Sequence, residues 1–398
     1  MIRKADVMSN ANRIIIGADL VPTKSNEALF ASGDAEDLIG NDLKKLFNDA
    51  DYRIFNLEVP LTDIRDPIAK CGPNLIAPTA TVKGYAALGV DLLTLANNHI
   101  LDQGEQGLDS TCRVLSENRI SYLGAGGTPD EAAKPYIFTH KGKKIGVYAC
   151  AEHEFTIVTE KSAGANPFDP LESPDHVSAL KAECDFVIVL YHGGKEHYRY
   201  PSPALQKICR KLVDKGADLV VCQHSHCIGC EEKYKHGTIV YGQGNFLFDL
   251  SEIECWQTGL LIGLNDAMEI NYIPVVKSQN KVRLAGKEQS DAIIDAFRLR
   301  SREIMTPGVI ESKYADFAKT MANHYLFLVS GRKRSLPFRV LNKLSGYRLD
   351  KMIINKRYTK EKKLAIINAV DCEAHRELML CGLSDFCGTD KKGHKNAK

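Results

Sequence analysis

The chain has 398 residues, 44% of them apolar and 26% charged, and a formal net charge of +2. That composition is that of a soluble globular protein and excludes a low-complexity or collagen-like chain, while the near-zero net charge excludes a global electrostatic pull toward nucleic acid or anionic lipid. At this length one large domain with an appended smaller unit is expected.

Residues 1–11 read as a tail. The only apolar run near the start, Ile14 to Ile16, is far too short for a signal peptide or a membrane span. A cytoplasmic protein, at most peripheral to a membrane, is expected on that basis. Twelve cysteines at irregular spacing do not form a disulfide framework and fit a reducing compartment. From residue 12, short β-branched runs alternate with helix-like segments: strands at 13–17, 52–56 and 92–96 between helices at 35–48, 82–88 and 107–117. Further strand-like runs follow at 144–149, 186–191, 219–222 and 238–241, each with a polar or glycine-bearing segment directly after it. Alternation of this kind predicts an α/β architecture, in which ligands gather at the carboxyl ends of strands. After residue 260 the pattern changes to two or three antiparallel strands closing the first domain, 12–285. The region 286–388 reads as helical, with helices at 290–305, 313–328, 359–370 and 371–383, and 389–398 as a disordered tail.

The strand ends carry the chemistry. They present Asp19 in IIIGADL, Glu58 in IFNLEVPLT, Asn97, Asn98 and His99 in TLANNHILDQG, His192 and Glu196 in VLYHGGKEH, and His224 with His226 in VVCQHSHC. Imidazole, amide oxygen and carboxylate suit Mn, Fe, Zn or Mg, so convergence of these ends predicts a site for one or two divalent ions. Any one histidine is more often a loop or satisfied interior residue than a ligand; the set is what carries the reading. In an extended segment, residues two apart point the same way, so His224 and His226 are expected to face one metal centre together. Asp102 reads as a catalytic carboxylate, as the N-cap of the following helix, or as a partner that fixes a histidine tautomer. Cys227 and Cys230 form a CxxC with no second pair at zinc-site spacing, so packed reduced cysteines are expected there. In YGQGNFLFD the two glycines before Asn245 fit either a binding loop or a β-bulge.

In order and wording these motifs resemble the poly-γ-glutamate capsule-biosynthesis, or CapA-like, family, which is similar in fold to the calcineurin-like metallophosphoesterases. The resemblance covers residues 12–250 through the Asp19 strand end, NLEVPLT (56–62), ANNHILDQGEQGL (96–108), YLGAGGTPDEA (122–132), HGGKEH (192–197), GADLVVCQHSHC (216–227) and YGQGNFLFD (241–249). It implies a four-layer α/β/β/α sandwich with a helical C-terminal extension. It also implies metal ligation by Asp19, Glu58, Asn98, His192, His224 and His226, a catalytic acid at His99, and Glu196 lining the cleft. Asp102 joins these as a catalytic candidate, and Asn97, Asn245 and Lys195 as substrate contacts. The chain departs from the superfamily pattern at Val21, where a histidine usually follows the opening aspartate, at Ile100, where an acid often follows the Asn-His pair, and at Cys222 and Gln223. The N-terminal membrane segment typical of the family is not expected here, since residues 1–16 hold no apolar run long enough for one.

Residues 331–363 hold twelve Lys or Arg against Asp350 and Glu361, leaving the rest of the chain net acidic. Such a segment fits a solvated helical face, a polyanionic product, an anionic membrane or RNA, and no aromatic stacking pattern supports nucleic acid. Two functional expectations follow. One is a metal-dependent hydrolase or transferase acting on an anionic polymer or its phosphorylated precursor, at a phosphoester or γ-glutamyl amide bond. The other is a non-catalytic accessory subunit of a membrane-bound polymer synthase or export complex.

Overall fold

The computed structural model describes residues 12–248, 252–331, 336–346 and 348–386. The expected tails at 1–11 and 389–398, and Arg332, Lys333 and Arg334 of the basic segment, lie outside the described residues, as does the side chain of Lys351. The chain divides into two compact units, Met1–Ile310 and Glu311–Lys398. The division falls later than the expected 285 because helix Lys287–Glu303 belongs to the first unit: Phe297 packs edge-on against Tyr272, and Arg300 donates to Gly229 O at 2.7 Å.

Two sheets stack in the first unit. In the first the strand order is Lys281–Leu284, Ile270–Ser278, Thr258–Leu264, Ile14–Leu20, Tyr52–Asn56, Leu92–Thr94 and Ser121–Leu123, with Asn245–Leu247 paired to Ile14–Leu20. In the second it is Glu231–Tyr234, Gly237–Tyr241, Leu219–Gln223, Phe186–His192, Lys143–Ala151 and Tyr136–His140. Of the two or three antiparallel strands expected after residue 260, three form, beginning at Thr258, and close the first sheet.

Strand alternation divides the core into three layers. Ile14 and Ile16 point into one apolar cluster and Ile15 into another; Val147 and Ala149 separate from Tyr148 and Cys150 in the same way, and Ile188 and Leu190 from Val187 and Val189. The shared cluster holds Ile14, Ile16, Ile54 and Leu92 of the first sheet against Val147, Ile188, Leu190 and Val221 of the second, so it lies between the sheets. The outer clusters join each sheet to its helices, Leu38, Leu43 and Leu115 on one side, Leu180, Leu205 and Leu212 on the other. Because both faces of both sheets are covered, the strands read as nearly continuous apolar runs, and each fully buried Ile, Leu or Val contributes about 1.5–3 kcal/mol. The result is the expected four-layer α/β/β/α sandwich.

Candidate metal centre

Both sheets send the carboxyl ends of parallel strands to one edge. Asp19 is the penultimate residue of Ile14–Leu20, and Asn56 closes the neighbouring parallel strand two residues before Glu58. His192 ends Phe186–His192, and the next strand, Leu219–Gln223, runs parallel to it and delivers His224 and His226 directly afterwards. Both of those histidines are left-handed, at φ +79° and +53°, which costs about 1 kcal/mol each and which surrounding structure must hold in place.

The side chains form two groups that share one carboxylate. One donor atom each from Glu58, His192 and His224 lie within 4.8 Å of one another, and so do one each from Asp19, Glu58 and His226; all five residues are buried. His192 Nε2 has Asn98 Oδ1 at 3.0 Å, His224 Nδ1 at 3.1 Å and Glu58 Oε1 at 3.3 Å. One ring nitrogen carries at most one proton, so these neighbours cannot all be satisfied by hydrogen bonds. Asp19 Oδ2 and Glu58 Oε2 are buried and make no hydrogen bond, with His226 Nδ1 3.5 Å from the former. Buried carboxylate oxygens without donors, facing imidazole nitrogens, fit a divalent cation.

The protonation states are uneven. Burial, then the charges of other imidazoles against the raising pull of Asp19, push His192 down to about 4, and burial with neighbouring His192 and His226 holds His224 well below the usual histidine range. Burial and the Asp19 charge raise Glu58 to about 8. Burial would lower His226, but the adjacent Asp19 carboxylate and the Glu58 charge outweigh it and raise it to about 9. Burial likewise works against ionised Asp19, yet His226, His192 and Asn56 hold that carboxyl below its ordinary value.

A second network adjoins this one. His99 Nδ1 lies 2.6 Å from Asp102 Oδ2, which also accepts from Leu75 N at 2.6 Å, while Lys70 pairs with the other Asp102 oxygen and donates to Asn98 O at 3.2 Å. Asp102 thus fixes Nδ1 of His99 as the protonated nitrogen and leaves Nε2 as the one that can exchange a proton.

Residues 14–250 match the family model described as "Bacterial capsule synthesis protein PGA_cap", more than half of the chain. The chain belongs to that family. Among curated relatives of this capsule-synthesis family it is 29% identical over 222 residues to "Capsule biosynthesis protein CapA" of Bacillus anthracis, covering 54% of each chain. It is 29% identical over 215 residues to "PGA biosynthesis protein CapA" of Bacillus subtilis, covering 52% of this chain and 56% of that one. It is also 29% identical over 185 residues to a "Probable polyglutamine synthesis accessory protein" of Mycobacterium tuberculosis, covering 43% and 49%. The chain therefore spans about half the length of the curated relatives it matches. Among solved structures, the NAD nucleotidase of Haemophilus influenzae aligns with a TM-score of 0.42 at 16% identity, covering 77% of this chain and 66% of that one. A putative 5′-nucleotidase of Staphylococcus aureus aligns with 0.41 at 14%, covering 72% and 57%.

The structure brings together all six residues that the capsule-synthesis resemblance implied as ligands, and alters several other expectations. His224 and His226 do not face one point: the left-handed backbone sends them to the two different groups. Asn97 is not open to substrate, because its amide donates to Asn56 Oδ1 at 3.1 Å and Leu57 O at 2.8 Å, and its oxygen accepts from His99 N at 3.1 Å. Asp102 is neither helix cap nor free catalyst; Gln103 occupies the N-cap position of helix Gly104–Glu117, and both Asp102 oxygens are engaged in holding His99, Lys70 and Leu75. Asn245 turns its oxygen to His226 Nδ1 at 2.8 Å rather than outward. Glu196 stands outside both groups, half-exposed and bonded to Lys195 at 3.0 Å; burial works against its charge, but Lys195, His224 and His226 hold its carboxyl low.

Val21 and Ile100 are buried apolar residues that give the centre no donor. Cys222, Cys227 and Cys230 are buried free thiols, and burial pushes Cys227 up to about 11, as expected of packing cysteines. Sequence reasoning missed Asn56, whose amide donates to Asp19 Oδ1 at 2.8 Å and whose oxygen accepts from Thr94 at 3.1 Å. Its place at a strand end, two residues before Glu58, was the available signal. It also missed Lys70, in a stretch without periodicity, and Trp256, which packs 4.7 Å from His226 and donates to His197 at 3.0 Å.

Proposed function

We propose that this protein takes part in making a bacterial capsule polymer, as a hydrolase or transferase that works with two divalent ions sharing Glu58. The observation that carries the reading is the pair of buried, unbonded carboxylate oxygens of Asp19 and Glu58 among three imidazoles. Asp19, Glu58 and His226 would hold one ion, and Glu58, His192 and His224, with Asn98 beside them, the other. A divalent ion in such a place supplies Lewis acidity and makes water a nucleophile near neutral pH. The protein's own part is then orientation and proton transfer. Asn56 fixes Asp19, Asn245 fixes the ring of His226, and Asp102 holds His99 so that Nε2, once the ring carries both protons, can give one to a leaving oxygen or nitrogen. The resemblance to the poly-γ-glutamate capsule family, together with the relative named for PGA biosynthesis, supports a γ-linked glutamate polymer or its precursor, and a phosphoester is the alternative bond.

A second reading is an accessory subunit that uses the same cleft for binding. It is favoured by Val21, which removes one expected donor, and by the name of the mycobacterial relative. Elemental analysis separates the two when paired with turnover of bis-p-nitrophenyl phosphate and poly-γ-glutamate in Mn2+. The enzyme reading expects bound metal and turnover in wild type, both lost in Glu58→Gln. Metal without turnover of either substrate moves the reading to the accessory role, and no metal in wild type removes the first.

A further inference from the structure

The second compact unit turns the apolar side of a helix toward solvent. Its core is small: Phe327, Ile354 and Tyr358 are buried, with Leu326, Phe338 and Ile366 packed on them, and Tyr358 donates to Leu326 O at 2.9 Å. Helix Leu336–Leu344 is seated on this core through Phe338, stacked on Phe327 at 6.2 Å, and through buried Asn342. These positions are four apart and mark the inward face. The opposite face carries Val340, Leu341 and Leu344, which are 52%, 57% and 78% exposed. A surface helix ordinarily buries its apolar stripe, so this arrangement is inverted.

Cations flank the exposed stripe. Arg339 and Lys343, again four apart, run along one margin of the same helix, and both are exposed. The following helix, Arg348–Arg357, adds exposed Arg348, Lys356 and Arg357 beside Met352, itself 62% exposed.

We infer that this face docks on an anionic lipid bilayer. The helix lies in the plane of the headgroups, with Val340, Leu341 and Leu344 at the acyl boundary and the flanking Arg and Lys on lipid phosphates. Among the described residues no helix is long and apolar enough to cross a membrane, which fits an in-plane mode. A second copy of the chain is a poorer occupant, because a two-fold contact would bring the cationic margins of both copies together. RNA would engage the cations but leave the apolar stripe without a partner. The inference does not depend on the metal centre.

The test is co-sedimentation of the full chain with vesicles of phosphatidylcholine alone and of phosphatidylcholine with phosphatidylglycerol in equal parts. Binding is expected only to the anionic vesicles. Leu341→Ser with Leu344→Ser is expected to weaken partitioning about tenfold or more at unchanged charge. Arg339→Gln with Lys343→Gln should weaken it severalfold, most at low salt. All four side chains are exposed, so both variants should melt with wild type, and the charge variant serves if the leucine variant does not. Three results overturn the inference: no binding to anionic vesicles, binding untouched by the leucine substitutions in a folded variant, or vesicle-free self-association that those substitutions abolish.

Discussion

At the residue scale, the centre divides into ligands that are ready for a cation and ligands that must first lose a proton. His192 and His224 are neutral at pH 7, since burial lowers both. Glu58, raised to about 8, and His226, raised to about 9, each hold a proton there in the metal-free protein. Raised folded-state values mean that the metal-free fold loses stability as pH climbs from the unfolded values, near 4.5 and 6.5, through about 8 and 9. A bound divalent ion displaces the same protons, so its affinity rises over that window and levels off above it. The difference in melting temperature between protein with excess Mn2+ and protein with chelator is therefore expected to widen from pH 6.5 to 9. A difference that stays constant or shrinks would show that Glu58 and His226 do not bind the ion.

At the element scale, the site exists because the chain crosses between sheets at Gly242 and Gly244. It leaves the second sheet at Tyr241, turns through φ +117° and +76°, and enters the first sheet as Asn245–Leu247, paired in parallel so that Asn245 sits beside Asp19. Gln223 and Gln243 staple the crossing from inside, donating to Gly17 O at 3.1 Å and Ile16 O at 3.0 Å. A Cβ at Gly244 would lie 2.6 Å from Thr258 O in a backbone region that side chains avoid. Gly244→Ala is expected to destabilise the protein by about 1–3 kcal/mol in urea unfolding and to lower its metal content, because Asn245 shifts against His226. Unchanged stability and metal would mean that the crossing is soft. This turn also marks the limit of what was legible in the sequence. Strands such as 52–56 stand out because burial on both faces leaves short β-branched or aromatic runs, and the histidines stand out because they follow those runs. The direction of His224 and His226 was hidden, since left-handed backbone at a non-glycine residue has no periodic signature. The occupation of Asn97 and Asp102 was hidden too, because their partners Asn56 and Lys70 are distant in the chain and become neighbours only once strands pair and the 63–77 segment folds over.

At the scale of the whole molecule, the two units differ sharply in how much apolar surface they bury. The first holds three extensive clusters and every residue of the two candidate ligand groups; the second closes on Phe327, Ile354 and Tyr358 and leaves Leu364, Ile367, Leu378 and Leu383 more than half exposed. Conformational entropy grows with every ordered residue, whereas the opposing stabilisation grows with burial, so the second unit should open at lower free energy than the first. It is also rich in the Lys and Arg that trypsin needs. Brief trypsin treatment of the full chain is therefore expected to cut first beyond Glu311 and to leave a resistant fragment ending near the division at Ile310. Because Asp19, Glu58, His192, His224 and His226 all belong to the first unit, that fragment should keep the metal content of the intact protein while losing any affinity for anionic vesicles. Intact mass of the fragment, elemental analysis and co-sedimentation on the same digest read all three. First cuts within 12–285, or loss of metal together with the second unit, would mean that the units do not fold and function separately.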